Sequence, residues 1–233
     1  EAGVRNLEKQ LSAVARKAVV ALIGGAKTPI RVNARNLHQY LGKPLFHPEK
    51  PLAGVGVATG LAWTPLGGVT LDVEATRVHG HTRGLRVTGQ LGEVMKESAE
   101  IAHSYISAHC LRFKGQKDFF EKAFIHLHVP AGATPKDGPS AGITMATALL
   151  SLARGEKLAR HLAMTGELTL TGQVLPVGGI REKAVAARRV GVKELILPEA
   201  NRRDFEELPD HIRRGLKPHF VAQNLALLER LAA

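Results

Sequence analysis

This sequence is short of several residue classes, and each shortage closes off a class of function. It holds one cysteine, Cys110, among 233 residues. That excludes an intramolecular disulfide and any zinc site built on several thiols. A chain that makes so little use of thiols suits a reducing, cytoplasmic setting. Tryptophan occurs once, as Trp63. No uninterrupted apolar run reaches the roughly 18 residues that a membrane-crossing helix needs. No basic segment followed by an apolar stretch opens the chain, so no secretory signal is visible. An initiator Met is also missing, and the first residues already follow a helical pattern, which implies a piece of a longer protein.

Acidic residues are scarce too. Asp and Glu number 21 against 32 Lys and Arg, a formal charge of +11. The surplus is uneven: residues 1–50 carry nine Lys/Arg and three Glu. A basic end of this kind can bind nucleic acid non-specifically, or can face an acidic partner domain. No base-reading motif accompanies it. The remaining composition, 44% hydrophobic and 23% charged, is that of a globular protein with one large domain, or one domain plus an appendage.

The apolar pattern orders the chain. Leu7, Leu11, Val14, Ala18 and Leu22 recur at spacings of three and four, which predicts a helix over 1–23 ended by Gly24-Gly25. A short helix is expected over 33–41, with Asn33 as its cap. The stretch from Gly42 to Pro51 contains three prolines and is the best linker. After it, strands are expected at 54–58, 68–75 and 84–88, a helix at 91–108 and a strand at 124–129. The apolar helix after Ser140 follows, then strands at 162–164 and 194–197, a turn at Thr171-Gly172, and helices through 182–189 and 225–231. Strands and helices interleave in one α/β or α+β domain.

Gly132-Ala-Thr-Pro-Lys-Asp-Gly-Pro-Ser-Ala-Gly142 places a serine where a glycine- and proline-rich loop turns into an apolar helix. Such a serine is either a helix cap or a nucleophile with an oxyanion site beside it. Gly138-Pro-Ser140-Ala-Gly142 matches the spelling of a nucleophile elbow, but an elbow serine follows its strand directly. Here a loop of about ten residues intervenes, and none of His161, His211 and His219 stands out as a partner. The loop also fails as a phosphate-binding loop, because Pro139 stands where a lysine is needed. A lysine base remains. Pro176-Val-Gly-Gly-Ile-Arg-Glu-Lys183 is a second glycine-rich turn into a helix. On that helix Lys183 falls among Ile180, Ala184, Val185 and Ala187, while Arg181, Arg188 and Arg189 face water. Burial would lower its pKa and let it act as a base. Taken alone, such a lysine is more often a surface residue with a buried stem.

Pro135–Gly142, Thr165–Gly179 and Ile180–Lys183, taken together, resemble the proteolytic domain of the Lon family of ATP-dependent AAA+ serine proteases. The resemblance covers residues 54–233. It implies an α+β fold of mixed sheets with packed helices and a Ser140–Lys183 catalytic dyad. Residues 1–43 resemble the end of the AAA+ helical lid, a small all-α segment, with 44–53 as linker. Thr165 would orient the lysine. The backbone of Asp137 and Gly138, with the Ser140 N–H, would form the oxyanion site, unless the Asp137 side chain orders or blocks the loop. Glu74 would be an acidic group near the site. His126 and His128 would support it; as a metal pair they lack a third ligand. Trp63, Pro135 and Lys136 would line the substrate groove. Arg5 would be a remnant of the nucleotide-sensing arginine. The resemblance further implies a homohexameric ring acting on unfolded or damaged polypeptides. ATP and Mg²⁺ would serve the whole enzyme, with no cofactor in this stretch. Two other readings stand beside it: a non-proteolytic Lon-like binding module and a basic nucleic-acid-binding fragment.

Overall fold

The computed structural model describes residues 4–43, 52–64, 67–130 and 134–222. The chain divides into two compact units, Glu1–Glu49 and Lys50–Ala233. The expected helix at 225–231 and most of the proline-rich linker lie outside the described residues.

The first unit contains helix α1 (Arg5–Ile23) and the short α2 (Leu37–Leu41). The spacing of Leu7 and Leu11 does produce a helix, yet no residue of α1 is buried. Asn33 does not cap α2. Its Oδ1 accepts from the N–H groups of Arg35 and Asn36 at 2.9 and 3.3 Å, which closes a turn just ahead of the helix. A short polar side chain prefers such local bonds to its own backbone.

The second unit is built on one seven-stranded sheet. Its strands are β1 (Val57–Thr64), β2 (Gly67–His79), β3 (Gly84–Thr88), β4 (Phe124–His128), β5 (Leu162–Met164), and two late strands named below. Helices α3 (Glu93–His109) and α4 (Phe119–Lys122) connect β3 to β4, and α5 (Gly142–Arg154) connects β4 to β5. A two-stranded ribbon, β6 (Glu167–Leu168) with β7 (Val174–Leu175), closes the predicted turn. Then follow α6 (Ile180–Arg189), β8 (Glu194–Pro198), α7 (Arg202–Glu206), α8 (Asp210–Arg213) and β9 (Lys217–Val221). The strand order is β3-β4-β2-β1-β5-β8-β9. The β1–β2 and β2–β4 pairs run antiparallel and the others parallel, so the sheet is mixed.

Strand β1 starts and ends later than its expected 54–58, because Gly54–Gly56 is an irregular lead-in. The Gly56 N–H donates to Ser151 Oγ and its carbonyl accepts from the Ala75 N–H. The strand that follows is covered on both faces, so it shows no alternation to read. Strand β9, which the sequence pattern did not signal, is an edge strand, where Pro218 is tolerated.

Two apolar clusters sandwich the sheet. Ala58, Leu71 and Val73 face the larger one, built with α3 and α5. Leu61, Ala163 and Leu195 face the smaller one, built with α6, α7 and α8. Alternate residues of one strand thus serve opposite layers. Helices α5 and α6 therefore lie on opposite faces of the sheet.

Candidate active site

Ser140 lies in a 3₁₀ turn, Pro139–Ala141, that leads into α5. Its carbonyl is held twice, by the Gly166 N–H at 2.9 Å and by Thr165 Oγ1–H at 3.2 Å. The adjacent Ile143 N–H returns a bond to Gly166 O. These contacts tie the serine turn to the end of β5. The closing glycine of the GxSxG spelling has a packing reason: a Cβ on Gly142 would stand 2.8 Å from the Leu168 nitrogen. The spelling thus arises from close approach of the β6 ribbon and not from a strand-to-helix elbow.

Lys183 reaches the same place from the other face of the sheet. Ile180, Lys183, Ala184 and Ala187 share the buried stripe of α6, at the 3-4 spacing that points one helix face inward. Lys183 is only 2% exposed. Its Nζ donates to Thr165 Oγ1 at 3.0 Å. Thr165 is itself fully buried at the end of β5, its N–H bonded to Ile196 O on β8. One hydroxyl therefore accepts from the lysine and donates to the serine carbonyl. Burial disfavours the ammonium and pushes the Lys183 pKa down from 10.5 to about 8. At neutral pH a usable fraction is already the free amine.

Ser140 and Lys183 open onto one cleft of about 570 Å³, lined also by Ala62, Trp63, Asp137, Gly178, Gly179 and Glu182. Among the described residues no histidine lines it, and Lys183 is the one lysine that does. Trp63, at the end of β1, is 57% exposed and forms one wall rather than part of the core.

The loop ahead of Ser140 is anchored to the start of α3. Asp137 Oδ1 accepts from the Met95 N–H at 3.0 Å, an unpaired donor in the first turn of α3. It also accepts from the Gly138 N–H at 2.8 Å. The Lys136 carbonyl accepts from Gly92 N–H, and the Lys136 N–H donates to Gln90 O. Of the three backbone donors expected around an oxyanion, Gly138 N–H is thus taken by its neighbour's carboxylate. The N–H groups of Asp137 and Ser140 make no hydrogen bond to any described residue.

Several expected residues stand elsewhere. Lys136 Nζ is tied to the Gly89 and Thr134 carbonyls at 3.1 and 3.0 Å, and Lys136 does not line the cleft. Pro135 is exposed and also off the cleft lining. Glu74 and His128 face each other across β2 and β4. Glu74 stands six residues from Gly68, where α6 meets β2, which is about 20 Å at ~3.3 Å per residue. Neither residue joins the cleft. His126 and His128 instead share the Thr88 hydroxyl, at 2.8 and 2.7 Å. Among the described residues no group of three or more His, Cys, Asp or Glu could hold a metal. Arg5 is an exposed residue of α1. The sequence reading missed Glu182 in the cleft and the Met95 N–H under Asp137. Glu182 could have been found from its place between Arg181 and Lys183 in the turn; a backbone donor has no sequence signal.

Comparison with known proteins shows the family. Residues 31–232 match the model of the Lon protease (S16) C-terminal proteolytic domain, and residues 1–30 match that of the Lon protease AAA+ ATPase lid domain. The chain is 59% identical over 221 residues to Lon protease 2 of Hydrogenovibrio crunogenus, covering 95% of this chain and 25% of that protein. It is likewise 59% identical to a Lon protease of Magnetococcus marinus, over 95% of this chain and 27% of the relative. With the mitochondrial Lon protease homolog of Mus musculus it shares 50% identity over 95% of this chain and 24% of the relative. The chain spans about a quarter of the length of the curated relatives it matches. With a buried lysine, a bridging threonine and a serine on one cleft, and with a family model matched over most of its length, this chain belongs to the Lon protease family.

Proposed function

We propose that the cleft hydrolyses peptide bonds, with Ser140 as nucleophile and Lys183 as general base. The observation that carries this reading is the burial of Lys183, which holds its pKa near 8 while Thr165 fixes its Nζ beside the serine turn. A free amine accepts the Ser140 Oγ proton as the oxygen attacks the substrate carbonyl. The carbonyl oxygen becomes an anion, and the N–H groups of Ser140 and Asp137 are the backbone donors left to stabilise it. Lys183 then gives its proton to the leaving amine. Water then attacks the acyl-serine ester as the same amine takes its proton, and that proton passes to Ser140 Oγ as the ester C–O bond breaks, releasing the carboxylic acid and restoring the enzyme.

The test is cleavage of an unfolded protein by the unaltered chain and by Ser140→Ala and Lys183→Ala. Both variants should lose cleavage by about 10³-fold or more. A Ser140→Ala chain that still cuts at the normal rate overturns the reading. The rate should rise with pH through about 8, following the free amine of Lys183; a flat profile from pH 7 to 9 counts against the base.

For the longer protein we infer a homohexameric ring that encloses these sites and degrades unfolded or damaged polypeptides in the cytoplasm. An ATPase using ATP and Mg²⁺ would feed it. No residue of the present cleft is assigned to nucleotide, and Arg5 would act only alongside parts of that motor. No helix among the described residues is long and apolar enough to cross a membrane. The surplus of Lys and Arg over residues 1–50 is the basis for non-specific DNA contact. A gel shift unchanged by reversing the charges of Arg16, Lys17 and Arg31 would dispose of it.

A further inference from the structure

We propose that the cleft beside Ser140 holds a subsite for a cationic side chain, lysine or arginine, of the polypeptide being cut, formed by the Glu182 carboxylate and the indole of Trp63. This rests on the reading of Ser140 as nucleophile and adds a substrate preference to it.

Glu182 is half-buried in the first turn of α6 and lines the same cleft as Ser140, Lys183 and Trp63. It makes no hydrogen bond or ion pair with any described residue. Some carboxylates of this chain are ion-paired, such as Glu93 with Lys96 and Glu156 with Arg154, and others, such as Glu97 and Glu121, are not; those two stand exposed on helix surfaces, whereas Glu182 is half-buried on the cleft wall. The adjacent Lys183 does not compensate Glu182, because its Nζ is turned to Thr165. Nor does Arg189, whose guanidinium donates to Gly68 O.

Asp137 is the second carboxylate on the cleft wall, and Lys183 must be neutral to act as base. With Lys183 as the free amine, the lining side chains include two carboxylates and no cation; of these, Asp137 is engaged by the Met95 and Gly138 N–H groups and Glu182 is not. Trp63 stands directly against the start of α6: a Cβ on Gly179 would fall 2.8 Å from Trp63 Cβ. Gly179 caps α6 and Glu182 is its third residue, so indole and carboxylate flank one helix start. An exposed indole face beside an unpaired carboxylate suits an ammonium or guanidinium, by cation–π attraction and by a charge-assisted hydrogen bond.

Trp63 is the only tryptophan, so its emission reports occupancy of this wall directly. The full chain carrying Ser140→Ala is titrated with uncleaved peptides that differ only in lysine or norleucine. The substitution is scanned over about three positions on each side of the bond to be cut. At one position lysine should bind about five- to tenfold tighter, the sum expected of one ion pair and one cation–π contact. Adding Glu182→Gln should reduce that preference below about twofold, high salt should weaken it, and Glu182→Asp should retain it. Equal binding at every position, no Trp63 response to either peptide, or a preference that survives Glu182→Gln overturns the proposal. Failure of the nucleophile reading shows separately, as Ser140→Ala cleaving at the rate of the unaltered chain.

Discussion

Two glycine-rich turns of this chain lead into helices, and the group proposed to react stands differently in each. Ser140 precedes α5 in a 3₁₀ turn and is half-exposed on the cleft. Lys183 sits inside α6, on its buried stripe, 2% exposed. The difference matches the two proposed roles. A nucleophile has to meet a substrate atom, so its hydroxyl must reach the cleft. A lysine base has to lose its proton near neutral pH, so its ammonium must be poorly solvated. Thr165 joins the two environments through one hydroxyl.

The contrast can be broken at its strongest point by Lys183→Arg. A guanidinium stays protonated at every working pH and cannot accept the serine proton. The expected result is a fall of about 10³-fold or more in kcat, measured on an unfolded protein substrate between pH 7 and 9. Thr165→Val comes next. It removes the acceptor of the Lys183 proton and a donor to Ser140 O while keeping the shape. A loss of about 10- to 100-fold in kcat is expected, with KM little changed.

The cost of burying the base can be read from stability. In the folded chain Lys183 titrates near 8, against 10.5 unfolded. Between those values the unfolded chain binds the extra proton, so stability rises with pH across that window and the penalty is complete below it. Lys183→Met should therefore stabilise the inactive protein by about 1–3 kcal/mol at pH 7. Denaturant melts should show the gain shrinking above pH 8 and gone near pH 10.5. The loop anchor gives the smallest effect. Asp137→Ala removes the side-chain cap of α3 and should cost about 1 kcal/mol. Gly92→Ala should act in the same direction, because its Cβ would fall 2.3 Å from the Asp137 carboxylate carbon. Each should lower cleavage several-fold by loosening residues 135–138, read as kcat beside the melting midpoint.

Much of this was legible in residue order. The alternation of Val69, Leu71 and Val73 announces β2, and the 3-4 spacing of Ile180, Lys183, Ala184 and Ala187 puts the lysine on the apolar stripe of α6. Strand β1 was less legible because both its faces are covered, which erases the alternation. Glu74 and His128 were expected near the dyad on resemblance, but their strands carry them away along the sheet. The resemblance places Lys136 in the substrate groove, but its Nζ is tied to the Gly89 and Thr134 carbonyls. In α1 the apolar spacing is clear, yet no residue is buried, because period reports which face is apolar and not whether anything covers it.

The sequence alone determined most of the elements and marked Ser140 and Lys183 as candidates, since helical period and glycine-rich turns are local properties of the chain; the proposal that they react as a pair came from the family resemblance. Only the tertiary structure decided that Ser140 and Lys183, carried on opposite faces of one sheet, share a cleft through Thr165. The same is true of the pKa of the lysine and of the Asp137 anchor at α3. Those depend on burial and on backbone donors brought from distant segments, and no local pattern of residues encodes either.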